Sequence, residues 1–271
     1  MVYGSLAEMF ADIAGAIREK EDSPDPIPAC DFAERIRGLN VSPPPGLEEL
    51  SWSEISRIAK SGQAQDIFSL GELKSINFGG TTCYVQIIGF DHDDVADAAI
   101  YGRDKAGITF QFGVAGDVNR DGVYSGDFSM NDSAVNTGGW RDSKMRNSRM
   151  PEMRGYMPPE LQAVLVKVNK TTGMNYMLPT TEKTEDDLFL LSEMEYFGVN
   201  KFSVPREGTR YAFYAEGGNY VRYRSGSPKP YWTRSVQYTY NKNFCYVTDT
   251  GVSGGTAADS GACAPTFAFC V

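Results

Sequence analysis

Three consecutive prolines, Pro43 to Pro45 in "NVSPPPGLEEL", divide the chain into two parts with different periodicities. Proline lacks a backbone N–H and has a fixed φ, so neither an α-helix nor a central strand runs through such a segment. Residues 41–50 therefore read as a linker between a unit at 1–40 and a unit at 51–271.

In the first unit, Leu6, Met9, Phe10, Ile13 and Ile17 recur at helical spacing. Asp31 with Glu34 makes a capping-box pattern ahead of Phe32, Ala33, Ile36 and Leu39. The expectation is a short helical hairpin with an apolar face. Two helices of that length cannot bury such a face alone, so they are expected to pack on the main body or on copies of themselves.

The second unit changes pattern. Ser51 and Glu54 form another capping box before Trp52, Ile55, Ile58 and Ala59, and "LKSINF", "CYVQIIGF" and "ITFQF" follow as short strands. "LQAVLVKVNK" fits helix or strand, and "DLFLLSEMEYFG" looks buried. Few helices among many short strands, with no internal repeat, point to an α+β fold rather than a βαβ repeat. The chain ends on "TFAFCV", in which Phe267, Phe269 and Val271 alternate as a half-buried strand requires.

With 271 residues, 41% of them hydrophobic, the chain can build one good-sized core plus a small extra domain. No stretch approaches the roughly 18 consecutive apolar residues of a membrane span. The N-terminus carries acids where a secretory signal needs a basic start, so synthesis without a signal peptide is expected. A net charge of −9 disfavours nucleic acid or an anionic membrane as the main partner. Five cysteines, with no CxxC pair, read as mostly buried thiols.

Several motifs resemble sites. "GVSGG" at 251–255 has the spacing of a hydrolase nucleophile elbow, but Ser253 is followed by glycines and coil, and the lone histidine precedes it. His92 lies among Asp91, Asp93, Asp94 and Asp97, where a turn whose acids cap the next segment is the preferred reading over a metal cluster or an acid–base pair. Asp117, Asn119 and Asp121, with Gly122, begin like a calcium loop. Its twelfth position is Phe128 rather than a bidentate carboxylate, so calcium is the one cofactor candidate, set against a surface loop of Asx turns.

The strongest compositional signal lies further on. Eight of the 15 tyrosines (Tyr211, Tyr214, Tyr220, Tyr223, Tyr231, Tyr238, Tyr240 and Tyr246) fall within residues 211–246, among Gly, Ser, Asn and Arg. That mixture is typical of paratopes, where tyrosine supplies contact area with few rotors to freeze. The competing reading, tyrosine on half-buried strands of a β-rich core, accounts for about half of them.

"SWSEISRIAKSG", "IIGFDHDDVAD", "AGITF", "MNDSAVNTGGWRDSKMR", "LPTTEKTEDDLFLLSEMEYFG", "YWTRS" and "FCYV…FAFCV", in this order, resemble a domain common in gut Firmicutes and their prophages. "IAGAIREKEDSPDPIPACDFAERIRGL" is similar to a helical segment of prophage tail proteins. The resemblance implies a C-type-lectin-like domain preceded by the helical hairpin, in the manner of diversity-generating retroelement variable proteins. It further implies that the last strand is core and that the polar stretch before it is an exposed loop. The Glu-Pro-Asn and Trp-Asn-Asp sets of sugar-binding lectins are absent, as is the core motif of formylglycine-generating enzymes, and "WTRSV" stands where the resemblance leads one to expect "WLRSP" or "WERSP".

The expectation is a non-enzymatic receptor-binding protein of a phage or prophage tail, made in the bacterial cytoplasm. It would bind a host-surface protein or glycan, with residues 1–40 joining copies of the chain or a tail-protein partner. The expected binding face comprises Tyr231, Thr233, Ser235, Gln237, Tyr238, Tyr240, Asn241, Asn243, Tyr246, Thr248 and Asp249. Trp140, Trp232, Arg234, Phe244 and the terminal "FAFCV" are assigned to the scaffold. The rivals are a carboxylate-dependent envelope-glycan hydrolase and a purely structural virion component.

Overall fold

The structure, a computed structural model, describes residues 6–22, 24–38 and 45–271, which form two compact units dividing after Pro45. The first contains α1 (Leu6–Glu21) and α2 (Phe32–Gly38), the latter entered through a 3-10 turn at Ala29–Asp31. Ala14, Ile17, Ile27 and Phe32 form its small core, with Ile13 against it and Phe10 packed edge-on to Phe32. Phe10 and Ile36 remain exposed. Asp31 lies in the 3-10 turn, where its carboxylate accepts from Cys30 Sγ. Leu39 and the linker at 41–44 lie outside the described residues.

The second unit begins at Gly46, earlier than the linker reading placed it. Leu47 and Leu50 are buried in its core, and the buried Lys74 ammonium donates to the carbonyls of Leu47, Glu48 and Leu50. Those three bonds use every N–H of the ammonium, which is how a lysine tolerates burial. Helix α3 (Trp52–Ser61) follows with the expected capping box. Ser51 Oγ accepts from Glu54 N, and Ser51 N donates to the Glu54 carboxylate.

The strands are β1 (Leu73–Phe78), β2 (Thr81–Phe90), β3 (Ile108–Phe112), β4 (Val168–Asn175), β5 (Leu178–Asp186), β6 (Phe189–Leu190), β7 (Tyr223–Arg224), β8 (Ser227–Pro228), β9 (Tyr231–Val236), β10 (Asn243–Val247), β11 (Ser253–Ala257) and β12 (Phe267–Cys270). An antiparallel five-stranded sheet runs β1-β2-β3-β12-β6, and a three-stranded sheet runs β11-β10-β9. The β4–β5 and β7–β8 hairpins stand apart from both. The class is α+β.

The C-terminal strand lies between β3 and β6, and every residue from Phe267 to Val271 is fully buried. Phe269 stacks on Phe110 and meets Trp52 edge-on, Phe267 stacks on Phe112, and Tyr101 Oη donates to the Val271 carbonyl. The ambiguous "LQAVLVKVNK" splits. Its first two residues end a short helix (Pro159–Gln162), and β4 starts at Val168.

The buried-looking "DLFLLSEMEYFG" becomes β6 and a helix at Glu193–Phe197, opened by a capping box between Ser192 and Glu195. Ser192 Oγ accepts from Glu195 N (3.0 Å) and donates to Glu207 O (2.7 Å). Ser192→Ala removes both bonds and is expected to destabilise the protein by about 1–2 kcal/mol, read as a lower urea midpoint at unchanged slope.

Candidate functional site

The residues expected to form one binding face are distributed by the fold into an interior strand, a braced turn and a second, distant turn. All six residues of β9 are buried, so Tyr231, Thr233 and Ser235 leave the expected surface, and Gln237 just beyond the strand leaves it too. Thr233 Oγ1 donates to Cys245 O (3.0 Å). Ser235 Oγ accepts from Glu193 N and donates to the Glu207 carboxylate. Gln237 Oε1 accepts from Asn243 Nδ2, and the side chain lies so close over Gly255 that a Cβ there would fall 1.9 Å from Oε1. Each of these polar groups is satisfied internally, which is what allows it to be buried.

The turn between β9 and β10 faces outward, with Tyr240 and Asn241 exposed and Tyr238 and Asn243 half-buried. Three other segments hold its backbone. Asn136 N donates to Asn241 O (3.1 Å), and its Nδ2 donates to the carbonyls of Tyr240 (2.8 Å) and Asn243 (2.9 Å). Met177 N donates to Tyr238 O (2.8 Å), and Tyr238 N donates to Phe202 O (2.7 Å). The partner segments bring exposed apolar side chains of their own: Val135 beside Asn136, and Tyr176, Met177 and Leu178 at the tip of the β4–β5 hairpin. At 59% exposure for Tyr240 and 57% for Met177, these large side chains stand in solvent on a fixed backbone.

Thr248 and Asp249 lie elsewhere. They form the turn at the other end of β10, closed by Thr248 N donating to Val252 O, and β10 separates the two turns by about 15 Å. Tyr246 is half-buried between them, its ring over Gly254.

Of the eight clustered tyrosines, Tyr211, Tyr214 and Tyr231 are fully buried and only Tyr240 is exposed. Their hydroxyls explain the inward turn. Tyr214 Oη donates to Gln111 Oε1 and accepts from the buried Arg222 (3.1 Å), and Tyr231 Oη donates to Tyr220 O (2.8 Å). Arg222 also binds the carbonyls of Phe112 and Gly122. One phenol, that of Tyr214, thus helps to hold an interior guanidinium, and the rings fill the core.

The remaining motifs resolve into local structure. Asp117 Oδ1 accepts from Asn119 N in an Asx turn and its other oxygen pairs with Arg120, while Asp121 accepts from Ser225 N. Among the described residues no group of three or more His, Cys, Asp or Glu is placed to hold a metal ion. Ser253 opens a strand rather than a strand–turn–helix elbow, and its Oγ donates to Glu193. His92 stacks on Tyr211 at 3.9 Å, and burial pushes its pKa down. Asp97 caps the short helix Ala98–Tyr101, while Asp91 and Asp94 pair with Arg103 and Lys105.

Sequence reading missed a chain of alternating charges deep in the second unit. Asp93 pairs with Lys170, Lys170 with Glu195 (3.1 Å), and Glu195 with both terminal nitrogens of Arg234. All four side chains are buried. Asp93 reads as a turn acid and Arg234 as scaffold, and the Ser192–Glu195 capping spacing could have flagged Glu195, but nothing local links the four, because the partners are far apart in sequence.

An α+β scaffold that braces one exposed aromatic turn from three sides is the class of protein the geometry defines. The chain belongs to the family described as a domain of unknown function (DUF6273), whose family model matches residues 119–271, more than half of its length. No curated protein and no solved structure matches it.

Proposed function

We propose that this chain is a non-enzymatic receptor-binding protein of a phage or prophage tail, built on a C-type-lectin-like scaffold. Its contact surface is the braced turn Tyr238–Asn243 together with Tyr176, Met177 and Leu178. The observation that carries this reading is the contrast between a backbone pinned by hydrogen bonds and large side chains left in solvent at its tip. Ordering entropy is then already spent before a ligand arrives, and exposed aromatics act as anchors. Asn241 supplies a polar rim, and the ligand is a host-surface protein or glycan.

Three further features support the reading. The chain's last strand lies inside the main sheet, which agrees with the core position the resemblance implies, although its neighbours are β3 and β6 rather than the N-terminal strand, and a separate small sheet carries the turn. The interior carboxylates Asp93, Glu193, Glu195 and Glu207 are committed to protein partners, which favours binding over hydrolysis. Exposed Phe10 and Ile36 on the N-terminal unit support a role for that unit in joining copies or a tail partner. No helix among the described residues is long and apolar enough to cross a membrane.

The test is binding of the purified protein to a panel of intact gut Firmicutes cells. Wild type is expected to bind selectively. A variant carrying Tyr240→Ala, Asn241→Ala and Met177→Ala, with an unchanged unfolding midpoint, is expected to lose at least about 30-fold in affinity. Asp249→Ala, at the far turn, is expected to bind like wild type. Loss with Asp249→Ala but not with the triple variant would move the site to the other end of β10, and no binding by wild type would leave the reading without support.

A further inference from the structure

The buried charge chain has a geometry that ion pairing alone does not require. The Lys170 ammonium touches Asp93 Oδ1, lies 3.1 Å from Glu195 Oε1 and 2.9 Å from Tyr211 Oη, and sits 3.8 Å from the centre of the Phe189 ring. Asp93 Oδ2 accepts from Thr109 Oγ1 (2.7 Å), Tyr211 Oη (2.8 Å) and Cys270 Sγ (3.3 Å), and the Tyr211 hydroxyl also lies 3.0 Å from Oδ1. The amine thus faces one carboxylate oxygen, three donors hold the second, and another carboxylate stands beside the nitrogen.

We propose that Lys170 and Asp93 join through an intramolecular amide bond, with Glu195 as the base that moves the proton. Burial alone pushes the Asp93 carboxyl up, but the charge of Lys170, that of His92 and hydrogen bonds from Lys170 and Thr109 outweigh it, leaving the carboxyl well below the usual range. The starting state is therefore the ion pair.

Transfer of one proton along the Nζ–Oδ1 contact gives a neutral amine and a carboxylic acid. Nζ then attacks Cγ, forming the C–N bond, and the developing oxyanion on Oδ2 is held by Thr109, Tyr211 and Cys270. Glu195 accepts a proton from the tetrahedral nitrogen and delivers it to the Oδ1 hydroxyl, the C–O bond breaks, and water leaves. One ammonium and one carboxylate become one amide and one water, so atoms and charge balance with no co-reactant.

Two physical terms favour the product. The groups are held in contact, which replaces the entropy of an encounter with a high effective concentration. The reaction also removes one positive and one negative charge from the interior and leaves the Glu195–Arg234 pair neutral overall, relieving the desolvation that burdens buried ions. The bond would join residues 77 apart, tying β4 to the segment after β2.

The experiment is mass spectrometry of the folded full chain, held at neutral pH for several days and then denatured. The intact mass is expected to fall about 18 Da short of the sequence mass, one water lost per covalent closure. Trypsin is expected to leave Lys170 uncut, so that the 168–183 peptide appears linked to 75–103. Lys170→Arg is expected to restore the full mass. A full wild-type mass with cleavage after Lys170 would overturn the proposal. So would a water loss that persists in Lys170→Arg or maps elsewhere, such as a succinimide at Asp121–Gly122.

Discussion

Replacing Arg234 with methionine is expected to lower stability by about 3–5 kcal/mol, the usual effect of stranding a buried charge by removing its partner. Arg234 is fully buried, and its guanidinium binds both oxygens of Glu195, the carbonyls of Leu190 (2.9 Å), Glu207 (3.0 Å) and Thr171 (3.3 Å), and Thr172 Oγ1 (2.9 Å). Methionine restores the stem's packing but none of the five N–H donors. Burial would push the Glu195 carboxyl up, and the charges of Arg234 and Lys170 together outweigh it, holding the carboxyl low. Without Arg234 that pKa rises, so the defect should be larger at pH 7 than at pH 4, where Glu195 can take a proton. Urea midpoints at the two pH values check this, and equal losses at both would mean that packing rather than charge dominates.

The second large effect is on pH dependence. Burial pushes the Glu207 carboxyl up to about 7, against the bonds from Ser235 and Gly173 and the charge of Arg234, which pull it down. A carboxyl whose folded pKa is raised binds a proton more tightly when folded. Its contribution to stability is present below its unfolded pKa, near 4.5, and is lost as pH rises through about 7. At about 1.4 kcal/mol per pKa unit, the loss across that window is on the order of 3 kcal/mol.

Glu207→Gln keeps an oxygen for Gly173 N–H and cannot ionise. The stability of the variant relative to wild type is therefore expected to increase from pH 5 to pH 8 by that amount. A difference between the two proteins that stays flat with pH would show that Glu207 titrates normally.

The two titrations rest on groups that differ in how visible they were. Glu195 sits three residues after Ser192, and capping is local chemistry, so spacing alone could have marked it. Glu207 has no such neighbour. Its partners are Gly173 N and Ser235, brought together only when β4, β9 and the segment before Tyr211 converge.

The Tyr-rich stretch illustrates the same limit. The expected binding face put Tyr231, Thr233 and Ser235 at the surface because a Tyr-rich, polar composition there reads like a paratope. Both sides of β9 are covered instead, and the hydroxyls of Thr233 and Ser235 find internal acceptors. Polar side chains small enough to be satisfied inside carry no sign in the sequence of which way they face.

The sequence by itself determined what depends on neighbours within about one turn or one strand: the Ser51–Glu54 cap, strands β1 to β3, the presence of a C-terminal strand, which alternation read as half-buried and the fold covers on both sides, and the α+β class. It also marked Trp140, Trp232, Arg234 and Phe244 as scaffold, and all four are fully buried. Only the tertiary structure decided that Tyr240 and Asn241 stand outside while Tyr231 does not, that Thr248 and Asp249 lie at the far end of β10, and that Lys170 meets Asp93. Those outcomes depend on contacts between residues tens of positions apart, and the packing that closes such contacts leaves no period or spacing along the chain.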